Sequence, residues 1–189
     1  MKFLVSTFLT FALSVSAAQS NEFRDELVAL ANGQIAEIVS SSVVVDAVKA
    51  QNGVTADYDQ SKIDELDTAW RSETDAADQP MIDAVLDNSL SMHLAELQDG
   101  SDGLFTEIFV MDAKGLNVGQ SDVTSDYWQG DEAKWQETYL VGKGAVHIGD
   151  LEEDDSTQQL QSQVSVPVTD PATGKNIGAV TFGVNVEGL

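Results

Sequence analysis

The stretch from residue 127 to residue 135 holds the side chains best suited to binding a small molecule. It contains two of the three tryptophans and one of the three tyrosines of the chain, together with the only lysine between residues 114 and 143. Small-molecule pockets use aromatic walls to exclude water and a few fixed charges to orient the ligand. In the alternative interpretation, the tryptophans only fill space against a sheet and the aspartate is a helix N-cap. The candidate ligand-binding residues are Tyr127, Trp128, Asp131, Lys134 and Trp135.

The charges in this cluster favour an amine-bearing ligand. A buried Asp131 would need a matching positive charge, and a ligand ammonium group is the simplest match. Lys134 would pair with a ligand carboxylate, or with Asp131 itself, which would close the site to amines. The negative field of the whole protein concentrates cations and repels dianions. We therefore expect an amino acid or a related compound rather than a dicarboxylate.

Outside this cluster the sequence offers few parts for catalysis or metal binding. His147 falls in a short predicted strand, where it faces either the pocket or water, and His93 fits a packed histidine on a helix. The Gly-x-Ser-x-Gly and His-Glu-x-x-His patterns of hydrolases are absent from the sequence. Five carboxylates lie within residues 150–155, but Asp155 and Gln161 occupy the places of the glycine and glutamate that an EF-hand requires. A solvated acidic turn is the favoured interpretation, with calcium binding left open, and we expect no cofactor.

Composition narrows the classes of partner. The chain has 189 residues, of which 32 are acidic and 9 are basic, giving a formal net charge of -23 at pH 7. Nucleic acid is not expected as a partner because phosphate binding needs a basic face, and the same charge disfavours anionic membrane surfaces. The absence of cysteine excludes disulfides, zinc–thiolate sites and iron–sulfur clusters. The acids are dispersed along the chain, so most are expected on a solvated surface.

Residues 1–18 have the organisation of a secretory signal peptide. Lys2 is followed by an apolar run from Phe3 to Ala18, which closes on the small-x-small sequence Ser16-Ala17-Ala18. The alternative is an uncleaved anchor, but a run of 16 residues interrupted by serine and threonine falls short of the ~20 that span a bilayer. We expect cleavage after Ala18, export to the periplasm and no stable membrane insertion of the mature protein, a single domain of residues 19–189.

The first part of this domain, residues 19–100, has apolar side chains at helical spacing. A broad apolar stripe that starts at Phe23 predicts a long helix, which is broken near Asn52-Gly53. Ser61-x-x-Asp64 has the form of a capping box and predicts the start of a short helix. Pro80 suits the first turn of a third helix, which runs to residue 99.

The second part, residues 104–189, changes to a period of two. A segment at 125–140, with helical potential after Asp131, interrupts the strands as an inserted loop-helix. An antiparallel sheet backed by helices follows from this order, so the predicted fold class is α+β. The predicted strands are 105–111, 116–118, 146–148, 161–168 and 177–186.

The chain resembles the single Cache (PAS-like) extracytoplasmic sensor domains of bacterial chemoreceptors and histidine kinases. That resemblance implies a long N-terminal helix and shorter helices packed on a five-stranded antiparallel sheet, with a ligand pocket on one face. In related domains an Asp-Ser step leads into the strand that flanks the pocket, which adds Asp155 and Ser156 as secondary ligand-binding candidates. The segments that carry the resemblance are Val44–Asn52, Ile108–Gly115, Ser125–Trp135, Gln163–Val168 and Ile177–Ala179.

The resemblance also implies partners. Related receptors dimerise through the long helix, and its broad apolar stripe leads us to expect a weak, parallel homodimer. Family receptors continue from the last strand into a transmembrane helix and a signalling domain, whereas this sequence ends there. We therefore expect a free-standing module that acts on a membrane-bound sensor kinase or chemoreceptor.

Together these observations predict an exported periplasmic module that binds a small polar metabolite without catalysis. The alternative is a structural or adaptor protein that contacts a membrane signalling partner through its long helix and has a vestigial pocket. An acid-pair hydrolase is the weakest hypothesis, because acids are too abundant here to be informative.

Overall fold

A computed structural model describes residues 21–153 and 159–189. The predicted signal peptide at 1–18, and the candidates Asp155 and Ser156, lie outside the described residues. The helices are α1 (Arg24–Leu30), α2 (Ala36–Val39), α3 (Ser42–Thr55), α4 (Gln60–Glu73), α5 (Pro80–Leu86), α6 (Ser89–Asp99) and α7 (Ala133–Gln136). The strands are β1 (Phe105–Met111), β2 (Asn117–Gln120), β3 (His147–Glu153), β4 (Leu160–Thr169) and β5 (Asn176–Asn185).

The five strands form one antiparallel sheet in the order β2-β1-β5-β4-β3. In the register of its centre, Phe182 of β5 lies opposite Ile108 on one side and opposite Val164 on the other. The predicted α+β class and the five-stranded antiparallel sheet with helices packed on it are confirmed. All five predicted strands are present, although β3 extends well beyond the predicted 146–148.

The main core lies between one sheet face and the helices α1, α2, α3 and α6. Alternate strand residues point into it because successive side chains of a strand face opposite ways. Burial of each large aliphatic or aromatic side chain contributes ~1.5–3 kcal/mol, so this layer is the chief source of stability. Its fully buried members include Leu27, Ile35, Val44, Val48, Leu94, Ile108, Val164 and Phe182.

The predicted long N-terminal helix ends at Thr55, close to the predicted Asn52-Gly53, but it is not continuous before that point. A π-helical turn, Ala31–Ile35, joins α1 to α2, and the axis then bends by 70° before α3. Ser41 is the extended residue that starts α3. Gly53 stays inside α3, since one glycine costs a helix only about 1 kcal/mol relative to alanine.

Two further helix boundaries differ from the predictions. Asp59, not Ser61, caps α4, and its carboxylate accepts a hydrogen bond from the Lys62 backbone N–H at 2.9 Å. Pro80 begins α5 as predicted, but the chain leaves the helix after residue 86, and Asn88 caps a separate helix α6. Asn88 is a polar residue whose side-chain oxygen accepts a hydrogen bond from the Ser91 backbone N–H at 2.9 Å, so hydrophobic spacing alone does not reveal this helix start.

Within the described part of the chain, no single helix combines the length and the apolar composition needed to cross a membrane. Residues 24–39 and 42–55 meet those criteria only when the two sides of the 70° bend are counted together.

Candidate functional site

The turn between β1 and β2 is built around the buried carboxylate of Asp112. One carboxylate oxygen accepts hydrogen bonds from the backbone N–H groups of Lys114 and Leu116, at 2.8 and 3.0 Å. The other accepts from the Thr55 hydroxyl at 2.8 Å and from the Gln51 side-chain amide at 3.3 Å, both on α3. A buried charge needs such hydrogen bonds. The carboxylate therefore fixes the turn to the C-terminal end of α3.

The same turn holds the segment that carries α7. The indole Nε1 of Trp128 donates to the carbonyl of Lys114 at 2.9 Å, and that of Trp135 donates to the carbonyl of Asp112 at 3.0 Å. Between these two bonds the backbones meet closely, because a Cβ on Gly115 would lie 2.5 Å from the Cα of Gly130. We call residues 121–146, which cover the second sheet face from this anchor, the lid.

The start of the lid is clamped by α4. One Asp67 carboxylate oxygen accepts hydrogen bonds from the backbone N–H groups of Tyr127 and Trp128, both at 3.0 Å. The Trp70 ring stacks on the Tyr127 ring with centroids 5.4 Å apart, and its Nε1 donates to the Thr124 carbonyl at 2.8 Å. Burial raises the pKa of the Tyr127 phenol above its ordinary value. Tyr127 and Trp128 thus belong to a small apolar core beneath α4 and α5.

Under the lid, a cleft of about 140 Å³ opens on the second face of the sheet. Its floor is mixed, since Phe109 lies beside a polar pair in which the Gln163 amide donates to the Glu107 carboxylate at 2.8 Å. An adjoining cleft of about 290 Å³ extends towards β3 and shares Lys134 and Gln163 with the first. We call the two together the lid cleft. The remaining lining residues include Thr124, Ser125, Gln129, Glu132, Ala133, His147, Gly149, Asp150 and Glu152.

Lys134 stands where the two parts of the lid cleft meet. Its side chain is only 14% exposed, and its ammonium group lies 2.8 Å from the Glu132 carboxylate. The same nitrogen is 3.3 Å from the Gln129 side-chain oxygen and 5.3 Å from the centre of the Phe109 ring. Cation–π attraction of this kind strengthens when water is excluded. Lys134 is the one lysine or arginine among the described lining residues, which include four carboxylates.

A contact between a histidine of β3 and a glutamate of the lid lies at the outer edge of the lid cleft. The Nδ1 of His147 on β3 lies 2.8 Å from a Glu137 carboxylate oxygen, one residue beyond α7. Of the two orientations left open for His147, the structure therefore places it at the cleft. His93 lies apart from it, on the opposite side of the sheet, in a groove of about 410 Å³ between α3 and α6.

The structure separates the aromatic cluster that the sequence suggested. Lys134 and His147 line the lid cleft, and Trp135 packs beneath it with Phe109 and Tyr139. Asp131 is exposed and lines neither part of the cleft, so the condition under which it would attract an ammonium group is not met. The N-cap position of α7 belongs to Glu132, whose side chain makes no capping hydrogen bond.

Sequence reasoning missed the cleft residues supplied by the sheet. Glu107 and Gln163 point away from the main core, because they alternate with the buried Ile108 and Val164. Polar residues at every second position of a strand are the usual sign of a solvated face. Glu107 and Gln163 therefore indicate a binding site only after the structure shows that the lid covers their face of the sheet.

Metal binding finds no support in the described residues, where no group of three or more histidine and acidic side chains is arranged to hold an ion. Residues 150–153 of the acidic stretch form no such group with other described residues, and the rest of the stretch lies outside the described residues.

Comparisons with known proteins give similarity at the level of fold. No family model and no curated protein matches the sequence. Solved structures that resemble this chain are sensor or ligand-binding domains of histidine kinases and chemoreceptors, the group that the sequence resembles. One is the sensor domain of the V. cholerae histidine kinase DctB, with 12% identity and a TM-score of 0.44, covering 88% of this chain and 56% of that one.

Two others come from chemoreceptors. The ligand-binding domain of Campylobacter jejuni Tlp3, in complex with 4-methylisoleucine, has 13% identity and a TM-score of 0.40, with 80% of this chain and 63% of that chain covered. That of the Pseudomonas aeruginosa amino acid chemoreceptor PctC, in complex with GABA, has 14% identity and a TM-score of 0.41, with 82% and 60% covered. The chain thus spans less than two thirds of the length of each of these three structures.

Proposed function

We propose that this protein is an exported, non-catalytic sensor-type module that binds a small amine-bearing metabolite, such as an amino acid, in the lid cleft. One observation carries the proposal. Lys134 is held nearly buried between the two parts of a cleft that also contains Glu107, Glu132, Asp150 and Glu152. Convergent polar groups around a partly apolar floor are characteristic of small-ligand sites.

The charges of the cleft define how such a ligand would bind. A ligand ammonium group would be matched by the surrounding carboxylates, among them Glu107 on β1. A ligand carboxylate would replace Glu132 as the partner of the Lys134 ammonium group, because Glu132 is the more exposed member of that ion pair. For the two negative charges of a dicarboxylate the cleft offers one lysine and four acidic side chains. The cost of removing such a ligand from water would therefore be poorly compensated. This arrangement favours the same ligand class as the sequence, with Glu107 in the role first given to Asp131.

Location and partner are parts of the same proposal. The organisation of residues 1–18 supports export to the periplasm, and the resemblance to Cache domains supports a membrane-bound sensor kinase or chemoreceptor as the partner. A weak homodimer also remains a prediction. Leu27, Ile35 and Val39 are buried against the sheet, so little of the apolar stripe is left for a second copy. Sedimentation at high micromolar concentration in moderate salt should show a weak dimer, and monomer alone would contradict the prediction.

A thermal-shift screen with calorimetry tests ligand binding. The exported protein is titrated with free amino acids, GABA, malate and succinate, and a ligand that binds only the folded state raises the melting temperature. We expect a stabilising compound with an ammonium group, bound at least tenfold more weakly by Lys134→Gln and by Glu107→Gln. Asp131→Asn is the matched control, since this acid precedes Lys134 by three residues but lies outside the cleft, and it should bind normally.

The adaptor alternative makes the opposite prediction. If no compound stabilises the wild-type protein and native mass spectrometry finds no co-purifying small molecule, the cleft is vestigial. Stabilisation by a dicarboxylate alone would retain a sensor function but contradict the proposed ligand class.

A further inference from the structure

The sequence contains two Asn-Gly steps, Asn32-Gly33 and Asn52-Gly53. An asparagine followed by glycine is chemically labile, because a backbone nitrogen that no neighbouring Cβ shields can reach the carbonyl carbon of the asparagine side chain. Both pairs lie in the helical first part of the chain. Their surroundings in the fold differ, and that difference decides which of the two asparagines can react.

Asn52 is held at both ends of its side-chain amide. Its Nδ2 donates to the carbonyl of Ile177 on β5 at 2.7 Å, and its Oδ1 accepts from the backbone N–H of Ala113 at 2.8 Å. Gly53 continues the regular helix α3. A reaction at Asn52 would require both hydrogen bonds to break and the last turns of α3 to open, so the fold protects this pair.

Asn32 and Gly33 are in the opposite situation. Both residues are exposed, and they lie in the π-helical turn Ala31–Ile35 that joins α1 to α2. The backbone leaves the helical conformation at Gly33, with φ -103° and ψ -106°, so the regular helix is already interrupted at this step. The Asn32 Nδ2 donates to the Val28 carbonyl at 2.8 Å, but this bond is exposed and water can replace it.

We propose that Asn32 is a site of spontaneous deamidation in the folded protein. The backbone nitrogen of Gly33 loses its proton to hydroxide and attacks Cγ of Asn32. A new C–N bond closes a succinimide ring, the bond from Cγ to Nδ2 breaks, and Nδ2 leaves as ammonia with a proton from water. A water molecule then opens the ring at either of its two carbonyls, which yields aspartate or isoaspartate at position 32.

Either product would alter the end of α1. A carboxylate at position 32 cannot donate to the Val28 carbonyl, and it adds negative charge near the C-terminal end of α1, where the helix dipole is also negative. Isoaspartate adds a methylene group to the main chain of the π-helical turn. Because Ala31 and Ile35 are buried in the main core on either side of the pair, conversion should loosen α1. This consequence does not depend on the ligand proposed for the lid cleft.

Tryptic peptide mapping by mass spectrometry tests the proposal, because trypsin separates the two pairs. Cleavage after lysine and arginine places Asn32 on peptide 25–49 and Asn52 on peptide 50–62. The exported protein is incubated at pH 8, and the conversion of amide to acid on each peptide is compared with an unincubated sample. We expect Asn32 to convert about tenfold faster than Asn52, or more, in the folded protein. In urea the two rates should approach each other, since local structure then protects neither pair.

Alanine variants of the two glycines complete the test. The methyl group of Gly33→Ala meets no atom within 4 Å, so the variant should fold, and it should slow the conversion of Asn32 about tenfold by hindering attack of the backbone nitrogen. Gly53→Ala, whose methyl group also meets no atom within 4 Å, is the matched control and should leave the conversion of Asn32 unchanged. The proposal is overturned by equal rates on the two peptides of the folded protein, by no conversion of Asn32, or by a rate that Gly33→Ala does not change.

Asn32→Asp reproduces one product directly and tests its effect on α1. We expect a lower melting temperature and faster amide hydrogen exchange across α1 and the π-helical turn, with no change in β4 and β5. Gln34→Glu adds the same charge to an exposed neighbour but keeps the bond from Asn32 to Val28, so its effect should be smaller. Unchanged exchange in Asn32→Asp would overturn the loosening of α1 by the aspartate product.

Discussion

The indole Nε1 of Trp135 donates a hydrogen bond to the backbone carbonyl of Asp112 at 3.0 Å, while the carboxylate of the same aspartate accepts from Thr55 at 2.8 Å. One residue thus fixes the lid on one side and α3 on the other. Lys134 precedes Trp135, so the position of its ammonium group in the lid cleft depends on a turn that it does not itself contact.

Replacement of Trp135 by phenylalanine should loosen the lid without unfolding the domain. The ring would still stack near Tyr139, but the Asp112 carbonyl would lose its donor. We expect faster amide hydrogen exchange across residues 129–139 and no change in the strands β4 and β5, because local opening depends on local contacts. Tyr58→Phe, another aromatic substitution outside the lid, serves as the control. Unchanged exchange in the lid would show that this hydrogen bond does not position it.

Removal of the Thr55 hydroxyl should destabilise the whole domain. Thr55→Val keeps the shape of the side chain but leaves one oxygen of the buried Asp112 carboxylate with only the longer bond from Gln51. Hydrogen bonds to charged groups contribute ~1.5–3 kcal/mol, so the free energy of unfolding should fall by about that amount. Urea denaturation measures the change. Ser72→Ala, which removes an exposed hydroxyl from α4, should stay within about 0.5 kcal/mol of the wild type.

The sheet could be predicted from sequence because its signals are local. The alternation at Val164, Val166 and Val168 requires one strand face to be apolar, and all three side chains lie in the main core. Helix boundaries were harder to predict because they depend on single capping groups. Ser41 starts α3 through an extended backbone, and serine is a usual helix-start residue, but the apolar spacing continues across Ser40–Ser42 and so hides the 70° bend.

The site was only partly predictable for a different physical reason. Residue type alone does not distinguish the tryptophan and tyrosine side chains that line a ligand site from those that anchor a loop. The difference depends on which group accepts the hydrogen bond from the indole N–H. Here the indole of Trp128 donates to the Lys114 carbonyl and that of Trp135 donates to the Asp112 carbonyl, and both acceptors are distant in sequence. The contribution of Glu107 required knowledge of which sheet face the lid covers.

Truncation of Asp67 should release the start of the lid from α4. Asp67→Ala leaves the backbone N–H groups of Tyr127 and Trp128 without their shared acceptor and removes an ion pair with the exposed Arg71. The two backbone bonds dominate, since exposed ion pairs contribute little. We expect the free energy of unfolding to fall by about 2–4 kcal/mol in urea denaturation. Asp64→Ala, which removes an exposed acid one turn earlier on α4, should change it by less than about 0.5 kcal/mol.

Asp170 should make the stability of the protein depend on acidity in a defined direction. The Ala172 backbone N–H and the Thr173 hydroxyl donate to its carboxylate, and together with nearby Lys49 they hold the pKa of Asp170 below its ordinary value. A carboxyl group whose pKa is lower in the folded state stabilises that state when ionised. This contribution is complete above the ordinary pKa of about 3.9 and disappears as the pH falls through the lower folded pKa.

Asp170→Asn removes the titrating charge while keeping one oxygen acceptor, so it isolates that contribution. The variant should unfold at lower urea concentration than the wild type at pH 7 and at pH 5.5. The difference between the two midpoints should shrink when the pH is lowered from about 4 towards 2, since the wild-type carboxylate then takes up a proton. A midpoint difference for Asp170→Asn that stays constant down to pH 2 would show that the amide disrupts the turn itself and that the charge contributes nothing.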